Sequence, residues 1–219
     1  MYDVVIPQKN EEQLIEIAEK LGYRGLCFLY DVKDYKLMCD KKYSTELEIF
    51  TGIICSFKDL SKVKNKQCFV VVKTNDKARE IIEKSNAKVI IGLEDHSHHD
   101  FLHHRNSGLN HVLAKLAAKR KITLGFSFAQ ILNGAKVKLL GRIIQNVKLC
   151  QKYKTPLLIA SFATTPYEMR NYGDLISLYS TLGMKKDVAK QGFLRVKKFN
   201  QLMQKKKSGK YVCEGVEII

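Results

Sequence analysis

The chain has 219 residues, 45% of them hydrophobic and 27% charged, which indicates one globular domain with an apolar core. No apolar run reaches the ~18 residues that a membrane span needs, and the first residues lack the basic region of a signal peptide. The six cysteines form no CxxC pair, so they predict buried apolar side chains in a reducing cytoplasm rather than disulfides or a zinc site.

The net charge of +16 is concentrated in the second half of the chain. Residues 1–95 hold 16 basic and 16 acidic side chains, so the whole surplus falls on residues 96–219. Between Asp100 and Glu168 there is no acidic residue. A field of one sign attracts a polyanion, which predicts nucleic-acid binding. The alternative, a lysine-rich surface that only aids solubility, would mix both signs along both halves.

Seven short apolar runs predict strands that are buried on both faces. In chain order they are Tyr2–Ile6, Gly25–Tyr30, Glu48–Cys55, Cys68–Lys73, Lys88–Leu93, Ile122–Phe128 and Pro156–Ser161. The helical patterns are Glu11–Leu21 with Asn10 as its cap, Lys77–Lys84 beginning at Asn75 or Asp76, Gly108–Lys119, Gly141–Tyr153 and most of the tail after Pro166.

The alternation of strands and helices predicts an α/β fold with a parallel sheet. Seven strands in this length favour closure into a TIM-barrel-like (β/α) barrel, a single domain over residues 1–219. No GxGxxG motif follows the first strand, which argues against a dinucleotide-binding fold. Part of the lysine-rich C-terminal segment 205–219 is expected to be mobile.

All six histidines lie in one segment, from His96 to His111, just after the fifth predicted strand. A metal could be sought at His96, His98, His99, Asp100 and His103. A catalytic metal in a barrel takes its ligands from several strands, and no histidine follows any other strand here. The pattern therefore favours a polar loop, and we predict no metal ligands and no catalytic residues in this chain.

Basic side chains recur through the acid-free stretch at positions suited to phosphate. Arg105 precedes the predicted helix Gly108–Lys119, whose free backbone N–H groups and dipole would favour an anion. His111, Lys115 and Lys119 recur every four residues along one face of that helix. The full predicted RNA-binding set is Arg105, His111, Lys115, Lys119, Arg120, Lys136, Lys138, Arg142, Lys148, Lys154 and Arg170, with Lys136 and Lys138 in a loop. Aromatic residues are few here, which favours contact with the backbone of structured RNA over base readout.

Residues 101–128, FLHHRNSGLNHVLAKLAAKRKITLGFSF, resemble the signature block of the ribonuclease P subunit p30 family. The opening YDVVIP and the later segments LGYRGL, GRIIQNVKLCQKYKTPLLIASFAT and PYEMRNYGDLISLYSTLGM resemble that family in the same order. The resemblance covers nearly the whole chain. It implies a TIM-barrel-like fold related to the PHP phosphoesterases, and a place in the ribonucleoprotein that removes 5′ leaders from precursor tRNA.

In that ribonucleoprotein the RNA subunit is catalytic, so the resemblance implies an RNA-binding subunit that does no chemistry and binds no cofactor, with Mg²⁺ serving the RNA. The implied partners are ribonuclease P RNA, protein component 2 with the other ribonuclease P proteins, and precursor tRNA as the substrate of the holoenzyme. Because residues 1–95 have no positive surplus, we expect them to contribute much of the contact with component 2.

Two alternatives stay open at this point. One is a metal-dependent PHP-like phosphoesterase or nuclease that uses the histidine-rich segment. PHP phosphoesterases carry an HxH motif after the first strand, whereas this chain has Ile6-Pro7-Gln8-Lys9 there, which argues against that activity. The other alternative is a ribosome-associated RNA-binding protein.

Overall fold

The computed structural model describes residues 1–63, 68–74, 77–85, 87–96, 99–134, 136–207, 211–213 and 216–217. Its centre is a sheet of seven parallel strands that pair in chain order. The strands are β1 (Tyr2–Val5), β2 (Gly25–Tyr30), β3 (Glu48–Ser56), β4 (Phe69–Lys73), β5 (Val89–Ile91), β6 (Thr123–Ser127) and β7 (Leu157–Ala160). The prediction of seven parallel strands is confirmed, because near-continuous apolar runs mark strands that are covered on both faces.

Helices surround this sheet on its outer side. Those within the described residues are α1 (Glu11–Lys20), α2 (Tyr35–Met38), α3 (Leu60–Val63), α4 (Ala78–Lys84), α5 (His111–Lys119), α6 (Phe128–Asn133), α7 (Lys136–Tyr153), α8 (Tyr172–Thr181) and α9 (Lys186–Lys207). A short antiparallel hairpin follows, with β8 (Tyr211–Cys213) and β9 (Val216–Glu217). No helix in the described part of the chain is both long enough and apolar enough to cross a membrane.

Four predictions about helix starts and caps need correction or lie outside the described residues. The helix predicted from Gly108 begins at His111, and the helix predicted from Gly141 begins at Lys136, so the presumed loop around Lys138 is helical. Asn10 precedes α1 but makes no side-chain cap; its side chain accepts from the backbone of Gln8 and donates to the carbonyl of Thr164. The predicted cap at positions 75 and 76 lies outside the described residues.

Alternate residues of the strands point to the centre of the barrel, as the two-residue period of a strand requires. The buried inner cluster contains Tyr2, Val4, Cys27, Leu29, Phe69, Val71, Val89, Ile91, Leu158 and Ala160. Residues of the opposite faces, such as Val72, Ile90 and Ile159, pack in a second cluster with the surrounding helices. The interior is therefore a packed core rather than a channel.

Helix α9 covers the amino-terminal end of the barrel. Its Val196 joins the inner cluster, and the rings of Phe199 and Phe69 lie 5.2 Å apart between centroids. The ammonium of Lys197 lies 5.7 Å from the ring centroid of Tyr2. Since Phe69 and Tyr2 are the first residues of β4 and β1, α9 leaves the carboxyl ends of the strands to the connecting loops.

The barrel closes through a small number of backbone bonds just beyond β7. An isolated parallel bridge pairs Val5 with Ala163. The backbone N–H of Phe162 donates to the carbonyl of Val4 at 2.8 Å, and that of Ile6 donates to the carbonyl of Ala163 at 2.7 Å. Phe162 has a φ of 48°, a left-handed backbone that bends the chain toward β1.

A buried carboxylate reinforces this closure. Asp3 of β1 accepts hydrogen bonds from the backbone N–H of Ser161 at 2.8 Å and from its hydroxyl at 2.6 Å. It also accepts from the backbone N–H of Val4 at 2.8 Å. Burial raises the pKa of Asp3 to about 6, although these three hydrogen bonds act to lower it.

We expect Asp3→Ala to lower the free energy of unfolding by about 3 kcal/mol, because it leaves the buried N–H of Ser161 without its acceptor and leaves the hydroxyl only the carbonyl of Val4, at 3.3 Å. Ser161→Ala is the matched control: it removes one hydroxyl and keeps the backbone bond, so it should cost about 1 kcal/mol. Urea unfolding of both variants measures the two losses. Equal losses would contradict a closing role for the carboxylate.

Candidate nucleic-acid interface

The loop after β5 is attached to α7 through Arg142. Its Nε donates to Asp100 at 2.9 Å, and one terminal nitrogen donates to the carbonyls of Glu94 at 3.1 Å and His96 at 2.9 Å. Arg142 is only 4% exposed. The sequence predicted a phosphate contact at this position, but the structure commits the guanidinium to partners inside the protein. We therefore remove Arg142 from the proposed RNA contacts.

Asp100 lies between two arginines. Besides Arg142, Arg105 donates to its second oxygen at 2.9 Å, and the backbone N–H of Asn106 donates to the first at 3.0 Å. Partial desolvation raises the pKa of Asp100, but the hydrogen bonds from Arg105 and Arg142 outweigh it and lower the pKa to about 2. The carboxylate is therefore neutralised by internal partners and adds little negative field at the surface.

Two amide side chains of α7 hold the next part of the loop. Gln145 accepts from the backbone N–H of Arg105 at 3.0 Å and donates to its carbonyl and to the Ser107 hydroxyl, each at 2.8 Å. Asn146 donates to the carbonyl of Ser107 at 3.0 Å. The backbone of this segment is thus paired with one face of α7, which limits its motion relative to the helix.

Helix α5 begins later than predicted because of Gly108. This residue has a φ of 69°, and a Cβ at its position would overlap the carbonyl oxygen of Leu93, so glycine is required. Asn110 then caps the helix, accepting from a first-turn backbone N–H at 2.9 Å. Arg105 consequently does not lie at the helix entrance, so its predicted phosphate contact would not include the free N–H groups of α5.

The exposed face of α5 and α7 carries most of the remaining predicted residues. His111, Lys115, Lys119, Lys138, Lys148 and, just past α7, Lys154 are all exposed. Lys136 begins α7, and its side chain lies outside the described part. Arg105, which is 47% exposed, lies on the loop packed beside the same helix. Apart from that of Lys136, each of these side chains is therefore accessible to a ligand on the outer side of the barrel.

Tyr153 links the two helices of this surface. The ammonium of Lys115 from α5 lies 5.4 Å from its ring centroid, and that of Lys152 from α7 lies 5.6 Å from it. Both lysines interact with the negative face of the ring, which eases the repulsion between two like charges. Lys152 was not in the predicted set, although its four-residue spacing from Lys148 was a signal for it.

Arg120 and Arg170, the two remaining predicted residues, both donate to carbonyls of the protein. Arg120 donates to the carbonyls of Ile82 at 2.7 Å and Ser85 at 2.6 Å, and also to that of Glu83. These are the free carbonyls at the C-terminal end of α4, so Arg120 ties α5 to α4 and we remove it from the proposed contacts.

Arg170 is exposed in the loop after β7. It donates to the carbonyls of Tyr167 at 2.8 Å and Met169 at 2.6 Å, and its guanidinium lies 5.5 Å from the ring centroid of Phe128. These contacts fix the orientation of the planar group while leaving it accessible.

The histidine-rich segment does not bring metal ligands together within the described residues. His99, His103 and His104 are exposed, and no group of three His, Cys, Asp or Glu side chains comes close enough to hold an ion in the described ranges. Asp100, the acid of the candidate set, is bound by two arginines. His98 lies outside the described residues.

A buried acid that sequence reasoning did not single out lies behind this loop. Glu94 follows β5 and is fully buried; one carboxylate oxygen lies 3.5 Å from the amide nitrogen of Asn146. Burial raises the pKa of Glu94 to about 7. The available signal was an acid placed directly after an apolar strand.

Comparison with known proteins identifies this architecture. Residues 1–199 match the family model described as RNase P subunit p30. The chain belongs to the ribonuclease P subunit p30 family. Ribonuclease P protein component 3 of Methanococcoides burtonii is 29% identical to it, over 96% of this chain and 88% of the relative. The protein of the same name from Methanosarcina mazei is 27% identical, over 95% of this chain and 89% of the relative.

The fold of this p30-family chain is also that of a solved structure. A chain in a cryo-EM structure of archaeal ribonuclease P with mature tRNA superposes with a TM-score of 0.74, covering 99% of this chain and 97% of the other. The two are 21% identical in sequence, so the likeness shows a shared fold. The predicted TIM-barrel-like fold and the predicted family are both confirmed.

We expect Arg142→Ala to lower the free energy of unfolding by about 3 kcal/mol, because it leaves Asp100 and two carbonyls without their buried donor. Hydrogen exchange at the backbone N–H groups of Arg105 and Asn106 should accelerate. Lys148→Ala, an exposed position on the same helix, is the control and should change stability by less than about 0.5 kcal/mol. Unchanged exchange in Arg142→Ala would show that the loop does not depend on this residue.

Glu94 predicts a pH-dependent stability. Its pKa is about 7 in the folded protein against an ordinary value of 4.5, so the folded state retains a proton that the unfolded chain releases between these values. The stability it contributes is complete below pH 4.5 and is lost as the pH rises toward 7. Glu94→Gln should therefore be more stable than wild type by on the order of 3 kcal/mol at pH 8, and by less than about 1 kcal/mol at pH 5.

Urea unfolding of both proteins at pH 5 and pH 8 measures this difference. Glu12→Gln, an exposed position on α1, is the matched control and should follow wild type at both pH values. A Glu94→Gln variant that tracks wild type across this range would contradict the raised pKa.

Proposed function

We propose that this chain is an RNA-binding protein subunit of ribonuclease P that supports a catalytic RNA in removing 5′ leaders from precursor tRNA. Membership of the p30 family supports the proposal, as do the names of the relatives from two methanogens. On this proposal the protein is cytoplasmic, and the Mg²⁺ that the reaction needs is bound with the RNA.

The observation that carries the proposal is the lysine pair on Tyr153. Lys115 and Lys152 converge there from two helices, and the chain has no acid between Asp100 and Glu168 to offset them. Such a surface gains affinity for RNA by releasing condensed counterions from phosphates. The proposed contacts are Arg105, His111, Lys115, Lys119, Lys136, Lys138, Lys148, Lys152, Lys154 and Arg170.

The other half of the chain, residues 1–95, is the proposed contact region for protein partners. Exposed residues of α1 include the acidic Glu12, Glu16 and Glu19, in contrast to the basic face of α5 and α7. We propose that residues 1–95 contribute much of the contact with component 2 and other ribonuclease P proteins. Precursor tRNA then meets this chain as part of the assembled particle.

Reconstitution tests the proposal. Ribonuclease P RNA is combined with component 2, the other protein subunits and either wild type or a variant with Lys115, Lys119 and Lys148 changed to Gln, and cleavage of precursor tRNA is followed as salt is raised. Wild type should sustain cleavage to higher salt than the variant. In direct binding, each lost phosphate contact should reduce the salt slope by about 0.7–0.9.

The matched control changes Lys186, Lys190 and Lys198 to Gln, three exposed lysines of α9 that lie outside the proposed RNA and protein contacts, and should behave as wild type. Equal effects of the two triple variants would show that only net charge matters and would reject the proposed face. Cleavage of precursor tRNA by the protein alone, with Mg²⁺ or Mn²⁺, would contradict the non-catalytic role and favour a phosphoesterase.

A further inference from the structure

The tip of the loop after β5 exposes apolar and aromatic side chains that the fold does not use. The tip consists of Phe101, Leu102, His103 and His104. Phe101 is 57% exposed and Leu102 is 93% exposed. The rings of Phe101 and His104 stack with 4.6 Å between centroids and 26° between planes. Large apolar side chains contribute little to folding when they are exposed, and a contiguous exposed group of them is typical of a binding site.

The tip stands on a rigid base. Asp100 on one side of it is held by three hydrogen bonds, from Arg142, Arg105 and the backbone of Asn106. The amide of Asn106 also donates to the carbonyl of His99 at 3.3 Å. The two ends of the tip are therefore joined to each other and to α7. A preordered surface loses less conformational entropy when a ligand binds.

The acid at the base of the tip, Asp100, is paired with two arginines, whereas Asp95, at the start of the loop, is exposed. The next acid along the chain after Asp100 is Glu168. The carboxylate of Glu168 is occupied by the side chains of Asn133 and Thr164 and by the backbone N–H groups of Thr164 and Thr165. Arg105 follows the tip directly and is accessible. A ligand at the tip therefore meets flat rings and the guanidinium of Arg105 together.

We propose that the tip binds an unpaired base of RNA, which stacks on the Phe101–His104 ring pair while Arg105 contacts the adjoining phosphate. A base inside a duplex has no free face, so the ligand is a loop, a bulge or a single strand. Stacking is tolerant of sequence because every base has a π face, and cations beside the rings hold the backbone. This inference rests on the proposed function and adds base contact to the phosphate contacts of α5 and α7.

A protein pocket for Leu102 is the competing occupant. The flat ring pair and the accessible guanidinium of Arg105 beside it match a nucleotide in shape and charge. An apolar pocket for one leucine would make no use of these groups. The observations therefore favour RNA.

The test compares two probes on the full-length protein. One is an oligoribonucleotide of about 12 uridines, and the other is an abasic strand of the same length, which keeps the phosphates but has no bases. Phe101→Ala should weaken binding of the uridine strand by on the order of tenfold and leave binding of the abasic strand within about twofold. Phe101→Tyr should bind the uridine strand like wild type, because it restores a flat ring.

Leu102→Ala is the matched control, since it removes an exposed apolar side chain from the same tip without removing a ring. It should bind both strands like wild type. Circular dichroism and urea unfolding check that the variants are folded. Because both side chains are largely exposed, we expect their removal to change stability little.

Each other outcome overturns the inference in a distinguishable way. If wild type binds both strands equally and Phe101→Ala does not change this, base stacking is rejected. The proposed phosphate contacts are then unaffected. Loss of component 2 binding in Leu102→Ala or Phe101→Ala, with RNA binding intact, assigns the tip to a protein. Failure of wild type to bind either strand or ribonuclease P RNA rejects the proposed function itself.

Discussion

The buried bond set between Asp3 and Ser161 is the constraint on which the arrangement of this protein depends. Six of the seven strand junctions are ordinary ladders, whereas β1 and β7 meet through one isolated bridge. The carboxylate of Asp3 supplies the acceptor that a missing ladder would have supplied to the N–H of Ser161. Because all seven strands are parallel, the loops after β5 and β7, which carry Arg105 and Arg170, lie at the same end of the barrel.

The pairing of acids within the protein also determines the charge of the interface. A basic surface attracts RNA when its lysines and arginines outnumber the acids beside them; Arg105 and Arg142 share the single carboxylate of Asp100, so that cluster stays positive. The structure satisfies the nearby acids internally: Asp100 by two arginines, and Glu168 by an amide, a hydroxyl and backbone N–H groups. Arg142 and Arg120 are used for structure, and the exposed lysines of α5 and α7 are left to interact with solvent or with a polyanion.

The position and the charge of the loop after β5 both depend on contacts within the protein. Three side chains of α7 donate hydrogen bonds to this loop: Arg142, Gln145 and Asn146. The position of the loop therefore depends on α7, and the position of α7 depends on the barrel against which it packs. A rigid loop that exposes a stacked pair of rings differs from the lysine face beside it. The lysines act through charge at a distance, and the rings act only through contact.

The amino-acid sequence by itself determined the seven strands, the parallel sheet, the family and the charge asymmetry, because continuous apolar runs and residue counts are local properties. It could not show which arginine of the acid-free stretch is accessible (Arg105) and which two are used to hold the fold (Arg142 and Arg120). That difference depends on which carbonyls and carboxylates the fold brings near each guanidinium. The start of α5 was likewise decided by a tertiary contact: Gly108 must pass against the carbonyl of Leu93, and no helix can begin until the chain has cleared it.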